Sequence, residues 1–500
     1  MDGSRSPIYV LDGIAGIGKS TVAQTVAERA AALDYLGASF FFSRNEEERK
    51  NGKLFFGTIA FQLSLYDHEF ATRIGTALEH IPDAATKRLP DQLKSLIIDP
   101  LRGARSSRTR PILIVIDALD ECEAHNAKEI LTLLAIEINQ LPFLKVFITT
   151  RPELHIRDIL RNQRHHERFY LHEIEHSIVE TDIRLYLDHQ LSGEIVHKAL
   201  PDFEPAFWEP SRKDTDALVR LAGKLFIIAS TAILFILDNK RYNPPSQLQK
   251  LLQGVARDYS GQNPMNTLDD VYIQILRTAF PDNSDDDMIK YFQEVVGTIV
   301  LLRDPLPCRS LANLLGIKPV SIITTLNHLH SIIAPGSQDQ SPRIHHKSFP
   351  DFVTDAERCR KDSRFFIAPN ERHCKIVEHC FRIMDLHLQQ NVCNLGFPER
   401  YMGNSKTRHL VERMVTPELG YACSYWAAHL SEASQGSDHL LRLLDTFAFD
   451  HLLHWLEVLS WIGRLDVAYP SLEHAQRFVV SEHHAPSSLG ILLMLLSRWQ

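Results

Sequence analysis

Gly13-Ile-Ala-Gly-Ile-Gly-Lys-Ser20 is the stretch that decides the fold of this chain of 500 residues. The apolar run Ile8-Tyr-Val-Leu11 precedes it, and residues 21–30 follow with the composition of a helix. A strand, a glycine-rich loop and a helix in this order are the context of a P-loop. The sequence therefore predicts a site for a nucleoside triphosphate at the start of the chain.

Each residue type in this loop has a physical role. The glycines let the backbone bring its N–H groups against phosphate oxygens, and the helix that begins near Lys19 adds the positive end of its dipole. We expect Lys19 to reach the β- and γ-phosphates and the Ser20 hydroxyl to bind Mg²⁺. The predicted nucleotide-binding residues form one run, namely Gly13, Ile14, Ala15, Gly16, Ile17, Gly18, Lys19, Ser20 and Thr21.

Apolar runs alternate with helical segments through the first third of the chain. This alternation predicts an α/β P-loop NTPase domain, in which helices cover both faces of a mostly parallel sheet. The nucleotide is expected at the carboxyl ends of the strands. The predicted strands are residues 8–11, 36–42, 111–116, 144–149 and 168–171.

The chain becomes helical from about residue 173 onward. Three predicted helices at 292–302, 308–315 and 320–329, followed by short strands at 331–334 and 343–346, have the pattern of a winged helix. We therefore expect an NTPase core, a helical domain, a winged-helix-like domain and a C-terminal helical domain. Their predicted bounds are 1–173, 174–265, 266–356 and 357–500.

Acidic residues and an arginine follow two of the predicted strands. Asp117 has the place of a Walker B carboxylate that holds Mg²⁺, and Asp120 or Glu121 could polarise the attacking water as a general base. The alternative is that these carboxylates only cap the next helix. Arg151 would sense or stabilise the γ-phosphate, unless it is a surface arginine paired with Glu153.

Two other patterns suggest metal binding, and the sequence disfavours both. His172-Glu-Ile-Glu-His176 matches the zinc-peptidase motif, which needs both histidines on one face of a helix. The match directly follows a predicted strand and precedes the helix start expected near Ser177. The pairs His373-Cys374 and His379-Cys380 are six residues apart, a spacing that matches neither face of a helix.

Composition excludes several classes of protein. The net charge of −8 gives no global basic field, and residues 311–331 of the winged-helix candidate contain one lysine and no arginine, so nucleic-acid binding is not expected. Seven cysteines without a CxxC pair suggest reduced thiols and a cytoplasmic protein. The longest apolar run, 225–237, is too short to span a bilayer, and a shorter run at 489–496 is also predicted to be core.

Together these stretches resemble the NACHT family of signal-transduction (STAND) ATPases, in the version common in large fungal proteins. The resemblance extends to roughly residue 356 and continues weakly into Tyr421-Ala-Cys-Ser-Tyr-Trp426. It is carried by the glycine-rich loop, Ser43-Arg44, Ile116-Asp-Ala-Leu-Asp-Glu121, Ile148-Thr-Thr-Arg-Pro-Glu153, Leu268-Asp-Asp-Val-Tyr272, Gly297-Thr-Ile-Val-Leu-Leu302 and His346-Lys-Ser-Phe349.

The resemblance implies a signalling switch like those of innate-immune or incompatibility receptors. Such a switch is closed with ADP, opens and self-associates with ATP, and is reset by slow ATP hydrolysis. The resemblance also implies that His346 contacts the β-phosphate of ADP, whereas composition alone favours a packed or exposed histidine. It favours Asp120 over Glu121 as the base. The nearest match to the Asn-Lys-x-Asp string of guanine-reading GTPases is Asn239-Lys-Arg-Tyr242, which favours adenine as the nucleobase, with GTP still possible because some NACHT proteins are thought to take it.

A different class of function remains open, namely a P-loop enzyme without a switch role. A constitutive ATPase would turn over quickly as a monomer. A kinase would need a lid over its acceptor substrate, and no such segment is recognisable between residues 43 and 111. The sequence defines neither the upstream signal nor protein partners other than a second copy of the chain.

Lys19→Ala should abolish nucleotide binding, because it removes the only cation within the phosphate loop. Direct titration of the variant with ATP measures this. An unchanged affinity for ATP would rule out the P-loop assignment.

Overall fold

The computed structural model describes most of the chain. The chain divides into two compact units, residues 1–233 and 234–500. The end of the predicted C-terminal domain, with the apolar run at 489–496, lies outside the described residues. The finer division into four domains stays a prediction. The described residues are 7–44, 46–104, 111–153, 156, 158–160, 166–204, 207–258, 264–282, 286–394, 405–434 and 438–481.

One parallel sheet organises the first unit. Its strands are β1 Ile8–Asp12, β2 Leu36–Phe41, β3 Ile112–Asp117, β4 Leu144–Thr150 and β5 His166–Tyr170. They lie in the order β2-β3-β4-β1-β5, and every neighbouring pair is parallel. Each forms at one of the predicted apolar runs, so the predicted α/β P-loop fold is confirmed.

Helices cover the sheet, which is why β3 and β4 are apolar on both faces. The buried apolar side chains form a large core cluster on one face of the sheet and a smaller one, around Ala23, Ala27 and Val115, where α1 packs. The helices that begin in this unit are α1 Lys19–Ala32, α2 Glu47–Lys50, α3 Phe55–Tyr66, α4 His68–His80, α5 Leu89–Leu93, α6 Asp99–Leu101, α7 Ala124–Glu137, α8 His176–Gln190, α9 Gly193–Ala199, α10 Arg212–Ala222 and α11 Phe226–Ile236.

Short helical turns connect several of these elements. The 3₁₀ turns are Gly52–Leu54, Ala84–Thr86, Leu119–Glu121, Ile138–Gln140, Leu171–Glu173, Ser363–Phe365 and Leu465–Val467. Three π-helical segments, Lys94–Ile98, Phe292–Val296 and Phe447–His451, adjoin α-helices. No helix in the described part of the chain has the length and apolar character needed to cross a membrane.

The edge strand β2 is covered by α3. Gln62 on α3 accepts a hydrogen bond from Ser39 N–H and donates one to Ser39 C=O, both at 2.9 Å. The side-chain amide thus makes the two hydrogen bonds that a neighbouring strand would make at this residue. The opposite face of α3 exposes Phe61 and Leu65, because only its inner face packs on the sheet.

The second unit contains the predicted three helices and hairpin. The hairpin pairs the antiparallel strands β6 Ile333–Ala334 and β7 Arg343–Ile344. Because β7 ends at Ile344, His345 and His346 follow the strand instead of belonging to it, which corrects the predicted bound. The helices of this unit are α12 Pro244–Asp258, α13 Pro264–Ala279, α14 Asp286–Tyr291, α15 Gly297–Leu301, α16 Cys308–Leu315, α17 Pro319–Asn327, α18 Ser348–Val353, α19 Pro369–His387, α20 Ser405–Met414, α21 Pro417–Leu430, α22 Asp438–Thr446, α23 Leu452–Trp461 and α24 Ala468–Ser481.

Ion pairs attach α13 to the segment that follows α18. Arg358 makes a bidentate contact with Asp269, with hydrogen bonds of 2.6–3.1 Å. Arg277 pairs with Asp362 at 3.1 Å. The Arg358–Asp269 pair is largely shielded from water and is therefore screened less than a surface pair, whereas Arg277 is more exposed than its partner Asp362. Together the two pairs fix the position of α13.

A buried hydrogen-bond chain joins α19 to α21. His373 Nδ1 lies 2.8 Å from His429 Nδ1, and Tyr421 Oη lies 2.7 Å from His429 Nε2 and accepts the Arg303 N–H at 3.0 Å. In one consistent arrangement of protons, Tyr421 donates to His429 Nε2 and His429 donates from Nδ1 to His373 Nδ1. Both imidazoles are then neutral, as burial requires.

We expect the second unit to lose stability as the pH falls from 6.5 to 4. Burial, reinforced by the positive charge of Arg303 and partly offset by Glu432, lowers the pKa of His373 from 6.5 to about 4. The unfolded chain takes up a proton here before the folded chain does, so this contribution to stability is complete above pH 6.5 and is lost toward pH 4. It amounts to roughly 3 kcal/mol. Urea unfolding, followed by the fluorescence of the buried Trp426 and Trp455, measures it.

His373→Gln should flatten this pH dependence, because the amide oxygen can still accept from His429 but does not titrate. His409→Gln is the matched control, since the His409 side chain is 82% exposed. An equal pH dependence in the parent chain and in His373→Gln contradicts the prediction.

Candidate functional site

The loop between β1 and α1 adopts backbone angles that glycine permits. Gly16 has φ +77° and Gly18 has φ +105°, both left-handed, and α1 begins immediately after Gly18. A Cβ at Gly13 would lie 2.9 Å from Ile17 Cγ2 and 3.3 Å from Leu171 Cβ. Any larger residue at these glycines would strain or displace the loop, so its path depends on them.

Lys19 lies within this loop. Its side chain is directed back along the chain, and Nζ donates hydrogen bonds to Gly13 O at 2.6 Å and to Ile14 O at 3.0 Å. Only 6% of Lys19 is exposed, whereas Ser20 and Thr21 are exposed on the first turn of α1. The loop thus combines a shielded cation with a hydroxyl at a helix N-terminus, which suits an anion.

The carboxylate of Asp117 is fixed by a threonine on the neighbouring strand. The Thr149 hydroxyl donates to Asp117 Oδ1 and accepts the Ala118 N–H at 2.9 Å. Ala118 has φ +54°, a left-handed conformation that is unfavourable for a residue with a Cβ. One hydroxyl therefore orients the acidic side chain and stabilises the strained residue after it.

Asp120 and Arg151 form a shielded pair. Asp120 Oδ1 accepts the Arg151 N–H at 3.0 Å, and Asp120 Oδ2 lies 3.3 Å from Arg151 Nε. The side chain of Asp120 is 0% exposed and that of Arg151 is 14% exposed. Arg151 thus pairs with Asp120 and not with Glu153, the partner considered from the sequence. Removing either partner would leave a buried charge.

Glu121 has a different environment from its neighbour Asp120. It is half-buried, and its Oε2 accepts the Arg44 N–H at 3.2 Å across the turn that follows β2. Water can reach this carboxylate, whereas the carboxylate of Asp120 is completely covered. The two candidate bases therefore differ in their access to an attacking water.

Residues in β5 and beyond it contact the end of β1 and the phosphate loop from another side. Arg168 forms an ion pair with the buried Asp12 at the end of β1. The Ile227 N–H, in the first turn of α11, donates to Gly16 O at 3.1 Å. The backbone of the loop is therefore tied to a helix that is more than 200 residues away in the sequence.

The structure places the predicted residues as follows. Asp117 is the last residue of β3, and Asp120, Glu121 and Arg151 lie just after β3 and β4. All four lie at the sheet edge where the loop leaves β1, because carboxyl ends of parallel strands meet there. His346 lies in the second unit. Sequence reasoning assigned no role to Thr149, although the register that pairs Ile116 with Ile148 puts it beside Asp117.

The metal patterns of the sequence do not form sites. His172 lies in the 3₁₀ turn Leu171–Glu173 and His176 is the first residue of α8, so the two histidines do not share one face of a helix. His373 is bonded to His429, and Cys380 is fully buried. Among the described residues, no group of three His, Cys, Asp or Glu side chains could hold a metal ion.

A family model described as Nephrocystin 3, N-terminal, matches residues 1–151, which carry the phosphate loop and Asp117. No curated protein matches the sequence. The match covers β1 to β4 and therefore coincides with the part of the chain that forms the candidate site.

Several solved structures resemble the chain weakly. A Walker-type ATPase of Pyrococcus abyssi is 15% identical over 69% of this chain and 90% of that chain, with a TM-score of 0.31. RuvB of Thermotoga maritima is 13% identical over 69% and 86%, with a TM-score of 0.21. Drosophila ORC bound to DNA is 12% identical over 58% and 72%, with a TM-score of 0.29. Similarities this low do not indicate what the present chain binds.

Proposed function

We propose that this chain is a nucleotide-dependent signalling switch, which binds ATP or ADP with Mg²⁺ and hydrolyses ATP slowly. ATP would favour an open, self-associating state and ADP a closed one, so the nucleotide would shift a population between two conformations. The proposal extends the resemblance to NACHT ATPases, which stays a prediction, and includes a role like that of innate-immune receptors.

The observation that carries the proposal is the set of groups at one edge of the sheet. A glycine loop holds the Lys19 ammonium, the first turn of α1 presents Ser20, and Thr149 orients the Asp117 carboxylate. Backbone N–H groups with a fixed cation suit the β- and γ-phosphates of a nucleotide. GTP fits these groups as well as ATP does.

The oxygen atoms of this site also fit Mg²⁺. Hard cations of this size prefer hydroxyl and carboxylate oxygens, which Ser20 and Asp117 supply. Bound there, the ion would neutralise charge on the phosphates. Thr149 would keep the Asp117 carboxylate oriented toward it, since the hydroxyl occupies Oδ1 from the side of β4.

Access to water favours Glu121 as the general base. A base must touch the water it polarises, and the Asp120 carboxylate is 0% exposed and engaged twice by Arg151. We therefore assign Glu121 to the attacking water and Asp120 to the placement of Arg151. Arg151 would in turn stabilise charge on the γ-phosphate.

Glu121→Gln should preserve ATP binding and slow hydrolysis, roughly 100-fold or more, because it removes a general base. Asp120→Asn should also slow turnover, but it should in addition lower the stability of the first unit, since Arg151 would lose a charged partner. Single-turnover hydrolysis, ATP titration and urea unfolding of both variants separate the two roles.

A double variant that turns over as fast as the parent chain would exclude both carboxylates. The opposite result is that Asp120→Asn abolishes hydrolysis without changing stability, while Glu121→Gln hydrolyses ATP almost as fast as the parent chain. Asp120 would then be the general base, as the resemblance to the family implies. Glu129→Gln on α7 is a matched control with no expected effect on any of these three measurements.

The hydrogen bonds of His346 suit a phosphate contact. His346 Nδ1 accepts the Ser348 N–H at 3.1 Å and lies 2.7 Å from Ser348 Oγ, which is 2.8 Å from the buried Tyr272 Oη. Because Nδ1 accepts, the neutral imidazole carries its proton on Nε2. As the resemblance implies, we propose that this N–H is the donor that binds the β-phosphate of ADP.

His346→Ala should release ADP faster and should self-associate without a stimulus. A charge-assisted hydrogen bond contributes roughly 1.5–3 kcal/mol. Its loss should therefore shift the equilibrium constant between the closed and open states by about one to two decades. Stopped-flow ADP release and sedimentation measure the two effects.

His345→Ala is the matched control. His345 is adjacent in sequence to His346 but has different hydrogen-bond partners. Its Nε2 contacts His330 O at 3.0 Å, and its backbone N–H donates to Ile332 O. The control should change neither the rate of ADP release nor the association state. If the two variants behave alike, His346 is an ordinary packed histidine.

The nucleotide that co-purifies with the chain tests the switch against a constitutive ATPase. A switch in its resting state should carry tightly held ADP and turn over slowly. Fast steady-state turnover by a monomer, with no bound nucleotide after purification, would favour the constitutive enzyme.

A further inference from the structure

A cleft of about 790 Å³ lies in the second unit, between α19, α22 and the C-terminal end of α16. The buried part of its lining is apolar, whereas most of the more exposed lining residues are polar. The buried residues are Leu315, Phe381, Met384 and Phe447. Sites for small molecules commonly have this size and combine an apolar interior with a few polar groups. The candidate nucleotide site uses none of these residues.

One wall of the cleft is the π-helical segment Phe447–His451, whose first and last residues both line it. His451 Nε2 lies 3.0 Å from Asp385 Oδ1, so the segment is tied to α19. The Phe447 ring packs on that of Trp426, with the centroids 5.0 Å apart. π-Helical turns are rare and occur frequently at functional sites. This wall is held in place by the protein itself, which lowers the cost of ordering a site when a ligand binds.

Arg382 brings a positive charge to the lining of the cleft. Its Nη2 donates to Asn313 O and to Leu314 O, both at 2.8 Å, at the C-terminal end of α16. These bonds fix the guanidinium and use only one of its three nitrogen atoms. Within the described part of the chain, Nε and Nη1 have no hydrogen-bond partner and no carboxylate pairs with Arg382. The remaining N–H groups are therefore available to an oxygen atom of a ligand.

Two carboxylates also line the cleft, and each already has a donor. Glu378 accepts a hydrogen bond from Lys375 Nζ at 2.8 Å, and Asp385 is the partner of His451. They lie four residues before Arg382 and three residues after it, hence on the same side of α19. Because neither pairs with Arg382, the guanidinium is the charged group of this lining that a ligand can still bind.

We propose that this cleft binds a small molecule with an acyl chain and one carboxylate, the chemistry of a medium-chain fatty acid. The carboxylate accepts hydrogen bonds from Arg382, and the chain lies against Phe381 and Phe447. The charge-assisted bonds fix the acid end, and burial of the chain supplies affinity in proportion to its apolar area. An acyl chain fits this lining better than a peptide does, because buried peptide amides would need partners. The proposal goes beyond the nucleotide function, since every residue that it uses lies in the second unit.

Octanoate and octan-1-ol are matched probes, because they share an eight-carbon chain and differ in the carboxylate. Calorimetric titration of the full chain, without nucleotide, should show that octanoate binds roughly tenfold or more tightly than octan-1-ol. In Arg382→Gln, octanoate should bind roughly 10- to 100-fold more weakly than in the parent chain. The affinity for octan-1-ol should be unchanged in this variant, and this also shows that the cleft is intact.

Thr446→Trp tests the place of binding. Thr446 is exposed at the end of α22 and lines the cleft, so an indole ring there would fill part of it. Both probes should then bind roughly tenfold more weakly or not at all. Arg442, which lies on α22 but does not line the cleft, provides the matched controls. Arg442→Trp adds the same bulk and Arg442→Gln removes the same charge outside the cleft, so both should bind the probes like the parent. Urea unfolding checks that each variant is folded.

Three results overturn the proposal. If the parent binds neither probe, or binds both equally well, the cleft is not a site for an acyl carboxylate. If Arg382→Gln weakens both probes equally, or weakens neither, the guanidinium only caps α16 and does not bind the carboxylate. If Thr446→Trp binds both probes like the parent, they bind elsewhere on the chain. None of these results depends on whether the chain binds ATP, so this proposal and the proposed function can fail separately.

Discussion

The hydroxyl of Thr149 makes the contact on which the candidate site depends most. It donates to the Asp117 carboxylate and accepts the Ala118 N–H, so one oxygen atom fixes the end of β3 in both side chain and backbone. This contact is possible only because β3 and β4 run parallel in the register that pairs Ile116 with Ile148. The acidic residues after β3 thus take their positions from β4, not from their own strand.

The residues around this contact show how one edge of the sheet can be both charged and stable. Asp120 and Arg151 are nearly excluded from water, and each would be costly alone. The two contacts between them offset the cost of burying each charge, and they form a second link between the ends of β3 and β4. Glu121, one residue further along, stays within reach of water. Adjacent carboxylates can therefore serve structure and chemistry separately, because their burial differs.

The sequence predicts local features of this protein well and long-range partners poorly. The strands, α1 and the phosphate loop could be predicted because apolar periodicity and glycine spacing are local signals. The partner of Arg151 could not, because Asp120 and Glu153 are both plausible until β3 and β4 are placed side by side. The sequence also does not indicate that Ile227 donates its N–H to Gly16 O, since only tertiary folding brings α11 to the loop. The roles of individual residues therefore depend on packing that periodicity does not encode.

The amide of Gln62 has a consequence for how copies of this chain could assemble. An exposed edge strand is a template for another chain, and proteins that stack through such edges form open-ended fibres. By bonding to both backbone groups of Ser39, Gln62 interrupts that template in the middle of β2. Another chain could extend the sheet at Ser39 only by displacing this amide from both backbone groups.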